Sequence, residues 1–329
     1  MAAARARFAR HGFAAPAELA MPGWRVLHAP PILGGPEALL TDGEDFVAVA
    51  GTPVCDGRIG RPGLQAMLRD LPLPRPHRER LGGQFVALVR RGGRAFLVGD
   101  FFAAFQLFHD PDMRLFSTSL LAAADALPCL SFDPQGVYEF AFNVVPIGDD
   151  TVFAELKTLA PDCIVELTQA GALLHEVDGA VAADVAEMPL AERVEVHRAR
   201  LDSAVRPWLE RFGDNVRCPL SGGLDSRLLL ALLRARGCRP HVYVYGSSDT
   251  ADVRVSREIG AALGFEVEWM DKENWRTLEP DAFAEQVERN FDQYDGLPNF
   301  GELFENGANA AARGARHAGG ARAASGGCG

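Results

Sequence analysis

Residues 218–233 read CPLSGGLDSRLLLALL, and the second half of the chain is best understood outward from them. The apolar approach NVRCPL (215–220) predicts a strand. The leucine-rich run that follows predicts a helix ending near Gly237, a reasonable glycine stop. Between them stand Ser221, Gly222, Gly223, Leu224, Asp225 and Ser226. A helix N-terminus offers unpaired N–H groups and roughly half a positive charge, which suits a phosphate. Gly222 and Gly223 let the backbone approach an anion with no Cβ in the way, and Ser221 and Ser226 can add hydroxyl donors. Asp225 would repel a bare phosphate, so it points to Mg²⁺ lying between carboxylate and anion. The plain alternative is a glycine turn with a capping serine, because SG and GG are common turn dipeptides.

The loop is not the common P-loop, since no lysine is placed to reach β- and γ-phosphates, and it is not GxGxxG either. A loop that grips only pyrophosphate, with an aspartate for the metal, fits chemistry that splits ATP between its α- and β-phosphates. Downstream the alternation continues. HVYVYG (241–246) reads as a strand, ADVRVSREIGAALG (251–264) as a helix with Thr250 or Asp249 placed to cap it, and FEVEWM (265–270) as a further strand. Units of this length imply a parallel sheet with crossover helices. Ligands of such sheets bind beyond the carboxyl ends of the strands, where the loop sits. Upstream, 191–212 reads as an amphipathic helix on Val194, Val196, Leu201, Val205 and Leu209, and 178–190 as a linker.

The first half reads differently. DFVAVAG (45–51), GQFVALVRR (83–91), RAFLVGD (94–100) and CIVELT (163–168) are strand-like, with a hairpin at Arg91-Gly92-Gly93. Helical patches fall at 119–127 and 134–142. The fold expected is two domains, an antiparallel α+β domain followed by a parallel α/β one. The arginine-rich N-terminus reads as a solvated arm without the apolar core of a secretory signal, and the residues from Arg313 onward look thin.

A net charge of -11 argues against binding to nucleic acid or an anionic membrane, since a polyanion would be repelled. No apolar stretch approaches the ~18 residues of a membrane span. The six cysteines, Cys55, Cys129, Cys163, Cys218, Cys238 and Cys328, show no CxxC spacing and read as small buried thiols of a cytoplasmic protein. The histidines form no HExxH motif. Asp249, Asp252 and Glu258 read first as capping or solvated helix residues, with approach to a substrate as the alternative. The segment 291–307 reads as an ordinary loop or as the lining of a pocket for an amino substrate.

SGGLDS between strand and helix resembles the PP-loop of the N-type ATP pyrophosphatases, and most closely that of the asparagine synthetase family with its β-lactam and macrolactam relatives. LGGQFVALVRRGGRAFLVGDFFAAFQLFHD (81–110), LFSTSLLAAADAL (115–127) and TVFAELKTLAPDCIVEL (151–167) resemble, more loosely, the family's N-terminal glutaminase domain. The likeness covers about residues 45–270, and SGGLDS alone is specific. It implies a glutaminase-like domain at 1–180, with Ntn-hydrolase-like antiparallel sheets. It also implies a PP-loop ATP-binding domain at 190–329, an adenine-nucleotide α-hydrolase-like parallel fold that is incomplete.

The function implied is ATP-dependent amide formation, in which a carboxylate is activated as an acyl-adenylate and passed to an amine or ammonia. ATP and Mg²⁺ are the implied cofactors. Leu220, Tyr245 and Gly246 would lie near adenine, Ser221, Gly222, Gly223 and Ser226 at pyrophosphate, and Asp225 at the metal. The family's glutaminase cysteine, exposed as the first residue after methionine removal, is matched here by Ala2, so glutamine hydrolysis is not expected. The family's second loop has at most its opening here, at Ser325-Gly326 with Cys328, which implies a fragment; a glycine-rich tail is the alternative. Neither nucleic acid nor membrane is an expected partner, and a homodimer is compatible with the reading. A catalytically inactive nucleotide-binding or interaction protein, or a non-functional fragment, is the competing hypothesis. A tRNA-modifying PP-loop enzyme is disfavoured by the acidic charge.

Overall fold

The computed structural model describes residues 1–31, 37–177, 187–271, 278–317 and 322–323. The fold is mixed α/β, with antiparallel sheets and one parallel sheet, and it divides into two units, Met1–Ala183 and Asp184–Gly329.

The first unit opens with helix α1 (Ala2–Arg10), the hairpin β1–β2 (Ala17–Met21 and Trp24–His28), β3 (Leu39–Asp42), β4 (Asp45–Cys55) and β5 (Arg58–Ile59). Helix α2 (Arg61–Asp70) precedes the hairpin β6–β7 (Leu81–Arg91 and Arg94–Gly99). Two short strands, β8 (Phe108–His109) and β9 (Phe116–Ser117), lead into helices α3 (Leu120–Ala126) and α4 (Pro134–Asn143). Strands β10 (Lys157–Thr158), β11 (Cys163–Thr168) and β12 (Gly171–Glu176) close the unit. The main sheet runs β12-β11-β7-β6-β4-β3, with β5 on β4, and every pair in it is antiparallel. At the β6–β7 turn Arg91 pairs with Arg94, and Gly92 and Gly93 both take positive φ, as a two-residue hairpin turn requires.

DFVAVA and FVALV are unbroken apolar runs because this sheet is covered on both faces. Val47, Val49, Phe85, Ala87 and Val89 pack against Leu64, Met67, Leu68 and Leu71 of the α2 region. Their neighbours Phe46, Ala48, Val86 and Leu88 pack on the other side with Met21, Leu107 and Leu159. Each fully buried side chain of this size contributes about 1.5–3 kcal/mol.

The N-terminal residues correct the expectation of a solvated arm. They form α1, tied by Arg7 Nε to Asp125 Oδ2 of α3 at 2.7 Å and by Arg5 to Glu18 at 2.7 Å.

The second unit begins with α5 (Leu190–Phe212), followed by β13 (Val216–Pro219), α6 (Leu224–Ala235), β14 (His241–Tyr245), α7 (Ala251–Leu263) and β15 (Val267–Met270). Helices α8 (Pro280–Gln293), α9 (Phe300–Leu303) and α10 (Ala308–His317) lead to β16 (Arg322–Ala323). The parallel sheet runs β15-β14-β13-β16. Of the stretch from Arg313, expected to be thin, the described residues end α10 and add Arg322–Ala323 as an edge strand to β13, and the others lie outside the described residues. Ser325, Gly326 and Cys328 lie outside the described residues, as does most of the expected linker.

The core of this unit joins Val216, Cys218, Leu220, Leu230, Leu233 and Val242 to Val205 and Leu209 of α5. Helix α5 is therefore amphipathic only in its second half. Val194 and Leu201 are exposed, which corrects the apolar stripe expected along its whole length. α7 ends at Gly264, in the left-handed conformation that glycine accepts at least cost. Among the described residues no helix is long and apolar enough to cross a membrane.

Cys55, Cys218 and Cys238 are buried as expected, but Cys129 is exposed, a correction to the uniform reading of the cysteines. Burial pushes the thiols of Cys55 and Cys238 up to about 11 and that of Cys218 up to about 12, so none forms thiolate near neutral pH. Iodoacetamide at pH 8 is expected to label Cys129 in the folded protein and to spare these three until denaturant is added. Peptide mass spectrometry reads the result, and equal early labelling of Cys218 would contradict the packing.

Candidate functional site

The carboxyl ends of β13 and β14 open into a cleft of about 390 Å³. Its lining includes Leu220, Ser221, Gly223, Asp225, Ser226 and Tyr245, six of the eight residues singled out from sequence. Helix α6 starts at Leu224 with Gly223 as its N-cap, and no side chain caps it. The N–H groups of Leu224, Asp225 and Ser226 therefore have no helical carbonyl four residues back.

The loop is held by its own serines. Ser221 N–H donates to Ser226 Oγ at 3.1 Å, Gly223 N–H donates to Ser221 Oγ at 3.1 Å, and the two hydroxyl oxygens lie 3.0 Å apart. Ser226 is buried, so its role is first to shape the loop. Behind it, Leu220 N–H donates to Tyr243 O at 2.8 Å, which fixes the loop base to β14. Ser256 of α7, fully buried, donates from Oγ to Leu220 O at 2.7 Å.

Ser256 was not legible as a site residue, because a serine inside a helical run carries no signal of the strand it will meet. Replacing it with alanine removes a buried bond and leaves Leu220 O without that donor. The expected cost is about 1–2 kcal/mol. A thermal melt that matches the wild type would overturn the assignment.

Two residues named from sequence lie differently. Gly222 does not line the cleft; its N–H donates to Asp252 Oδ1 at 2.7 Å. Gly246 is a backbone corner at φ +130, whose N–H donates to Met270 O and whose carbonyl accepts from Trp269 Nε1 at 2.7 Å. Asp252 is exposed, lines the cleft and accepts from the loop, so its carboxylate does not serve as a cap and the alternative placement near a substrate is the one its position fits. Asp249 and Glu258 are exposed. Thr250 occupies the α7 N-cap position but donates from its hydroxyl to Ser247 O, so the expected side-chain cap is absent.

The segment 291–307, among its described residues, lines no part of the cleft. Its residues join a separate buried network, in which Asn290 Nδ2 donates to Glu305 O at 2.9 Å and Asn309 N–H donates to Glu305 Oε2 at 3.0 Å.

Chemically, the cleft offers helix N–H donors and hydroxyls together with the carboxylates of Asp225 and Asp252. Among the described residues no group of three or more His, Cys, Asp or Glu is placed to hold a metal by itself. Mg²⁺ does not need one, since it is commonly held by one or two carboxylates together with substrate phosphates and water. Asp225 and Asp252 could hold such a cation only together with ligands that the described residues do not supply. No protein-family model matches the chain, and no curated protein matches it.

Proposed function

We propose that the chain is an ATP-dependent amide-forming synthetase of the asparagine synthetase type, with an Ntn-hydrolase-like first domain and a PP-loop, adenine-nucleotide α-hydrolase-like second one. The observation that carries the reading is the position of Ser221–Ser226. This loop turns from a parallel strand into an uncapped helix N-terminus, at a cleft shared with Asp225 and Asp252. An anion gains most from donors at such a helix end, and a metal-bearing anion gains from the carboxylates beside it.

In this reading Ser221, Gly222, Gly223 and Ser226 bind the pyrophosphate portion of ATP, and Leu220 and Tyr245 lie toward adenine. A substrate carboxylate forms a bond to the α-phosphorus as the bond to the β-phosphate oxygen breaks and pyrophosphate leaves. An amine or ammonia then attacks the activated carbonyl and AMP departs. Asp225 would hold Mg²⁺ together with the phosphates, and the metal would supply charge neutralisation there. The protein's contribution is alignment of the reactants and donors fixed in advance where charge accumulates on the leaving group.

Titration with Mg·ATP, followed by product analysis with a panel of amino-acid carboxylates and ammonia or simple amines, tests the reading. Saturable binding with AMP and pyrophosphate as products is expected. ADP as product would overturn it, and binding without AMP formation would mark a nucleotide-binding protein instead.

A further inference from the structure

Gly222 N–H, a donor the glycine loop would turn toward a phosphate, is already taken by the Asp252 carboxylate at 2.7 Å. A Cβ added at Gly222 would lie 2.9 Å from that same oxygen, so backbone and carboxylate are packed directly together. Asp252 stands in the first turn of α7, yet the N–H it accepts belongs to a loop thirty residues earlier in the chain, not to its own helix. Capping therefore does not account for the contact. A backbone N–H donating to a carboxylate is shorter and stronger than a neutral pair. A phosphate oxygen that seeks Gly222 must displace an anion, and the displaced carboxylate stays in a cleft that also holds Asp225.

Resting on the phosphate-binding reading above, we infer that Asp252 is a selectivity residue that makes the loop refuse polyphosphate lacking a divalent cation. With no phosphate present, it satisfies Gly222 N–H. When metal-free polyphosphate arrives, two carboxylates oppose it. When the polyphosphate carries a divalent cation, the cation offsets the charge of the displaced carboxylate, and the exchange at Gly222 becomes favourable. Asp252 thus couples metal binding to phosphate binding without being the residue that aligns the reacting atoms.

The test is calorimetric titration with inorganic pyrophosphate, in Mg²⁺ and in EDTA, of wild type, Asp252→Ala, Asp252→Asn and Asp249→Asn. The asparagine variant keeps size and an acceptor oxygen, and so covers the case in which the alanine variant does not fold. Wild type is expected to bind magnesium pyrophosphate, and to bind the metal-free form about tenfold or more weakly. Both Asp252 variants are expected to recover about tenfold or more in EDTA, while Asp249→Asn, an exposed acid outside the cleft lining, stays within about twofold of wild type. If wild type binds magnesium pyrophosphate but the Asp252 variants gain nothing in EDTA, the inference fails and the phosphate-binding reading stands. An equal gain in Asp249→Asn would mean general charge repulsion and would also overturn it. Absence of pyrophosphate binding in every protein and both buffers would remove the reading and the inference together.

Discussion

Alanine in place of Asp225 is expected to abolish carboxylate-dependent exchange between ATP and labelled pyrophosphate. Asp225 lines the cleft in the first turn of α6, beside the helix N–H donors. An acid there opposes the binding of a bare anion and assists it only when a cation intervenes. Removing it should leave pyrophosphate able to reach the loop but without its metal ligand, so the loss should fall on the chemical step. Losses of about a hundred- to a thousandfold follow when one preorganised electrostatic partner of a developing charge is removed. The assay uses whichever carboxylate supports exchange in the wild-type protein. Asp225→Asn, which keeps the shape and loses the charge, should fail equally. Undiminished exchange in either variant would remove Asp225 from the site, and with it the main support for the synthetase reading.

The second large effect concerns the fold of the first unit. Gly51, within β4, has φ +85, and an added Cβ would overlap the carbonyl oxygen of Gln84 on β6 and lie 2.9 Å from Phe85 Cα. Gly43 also has positive φ, at +62, but faces open space. Both replacements by alanine carry the left-handed penalty of about 1–2 kcal/mol. Only Gly51→Ala adds an overlap, at this exposed position of β4, with the backbone of the paired strand β6, worth about 1–3 kcal/mol more. The expected losses are therefore about 2–5 kcal/mol for Gly51→Ala and about 1–2 kcal/mol for Gly43→Ala. Paired urea titrations followed by circular dichroism compare them. Equal losses would mean that β4 and β6 do not approach as closely at this point as described.

Much of the candidate site could be read from one stretch of sequence because its determinants are local. A strand, two glycines and a helix start follow one another without interruption, so Ser221, Gly223, Asp225 and Ser226 reach the cleft by chain continuity alone. The partners of that loop could not be read in the same way. Ser256 and Asp252 lie on α7, and they meet Leu220 and Gly222 only because the parallel sheet sets α7 beside the end of β13. On the helix alone, Asp252 looks like any first-turn acid stabilised by the helix dipole. Gly246 illustrates the converse. It follows β14 as expected, but its N–H donates to Met270 O and its carbonyl accepts from Trp269 Nε1, both of β15, and it is not part of the cleft lining.

The same division holds for the fold. Periodicity, turn glycines and β-branched runs determined the strands β4, β6, β7 and β11, the Gly92-Gly93 turn and the strand–helix alternation around SGGLDS, because each depends on neighbours within a few residues. Only the tertiary structure decided that both faces of the antiparallel sheet are covered, and that α5 buries only its later turns. It also ordered α1 through the Arg7–Asp125 pair and placed β16 beside β13. Those outcomes depend on pairings between segments far apart in the chain. Apolar surface has no preferred partner until the fold brings one within reach, because the hydrophobic effect sets how much is buried but not against what.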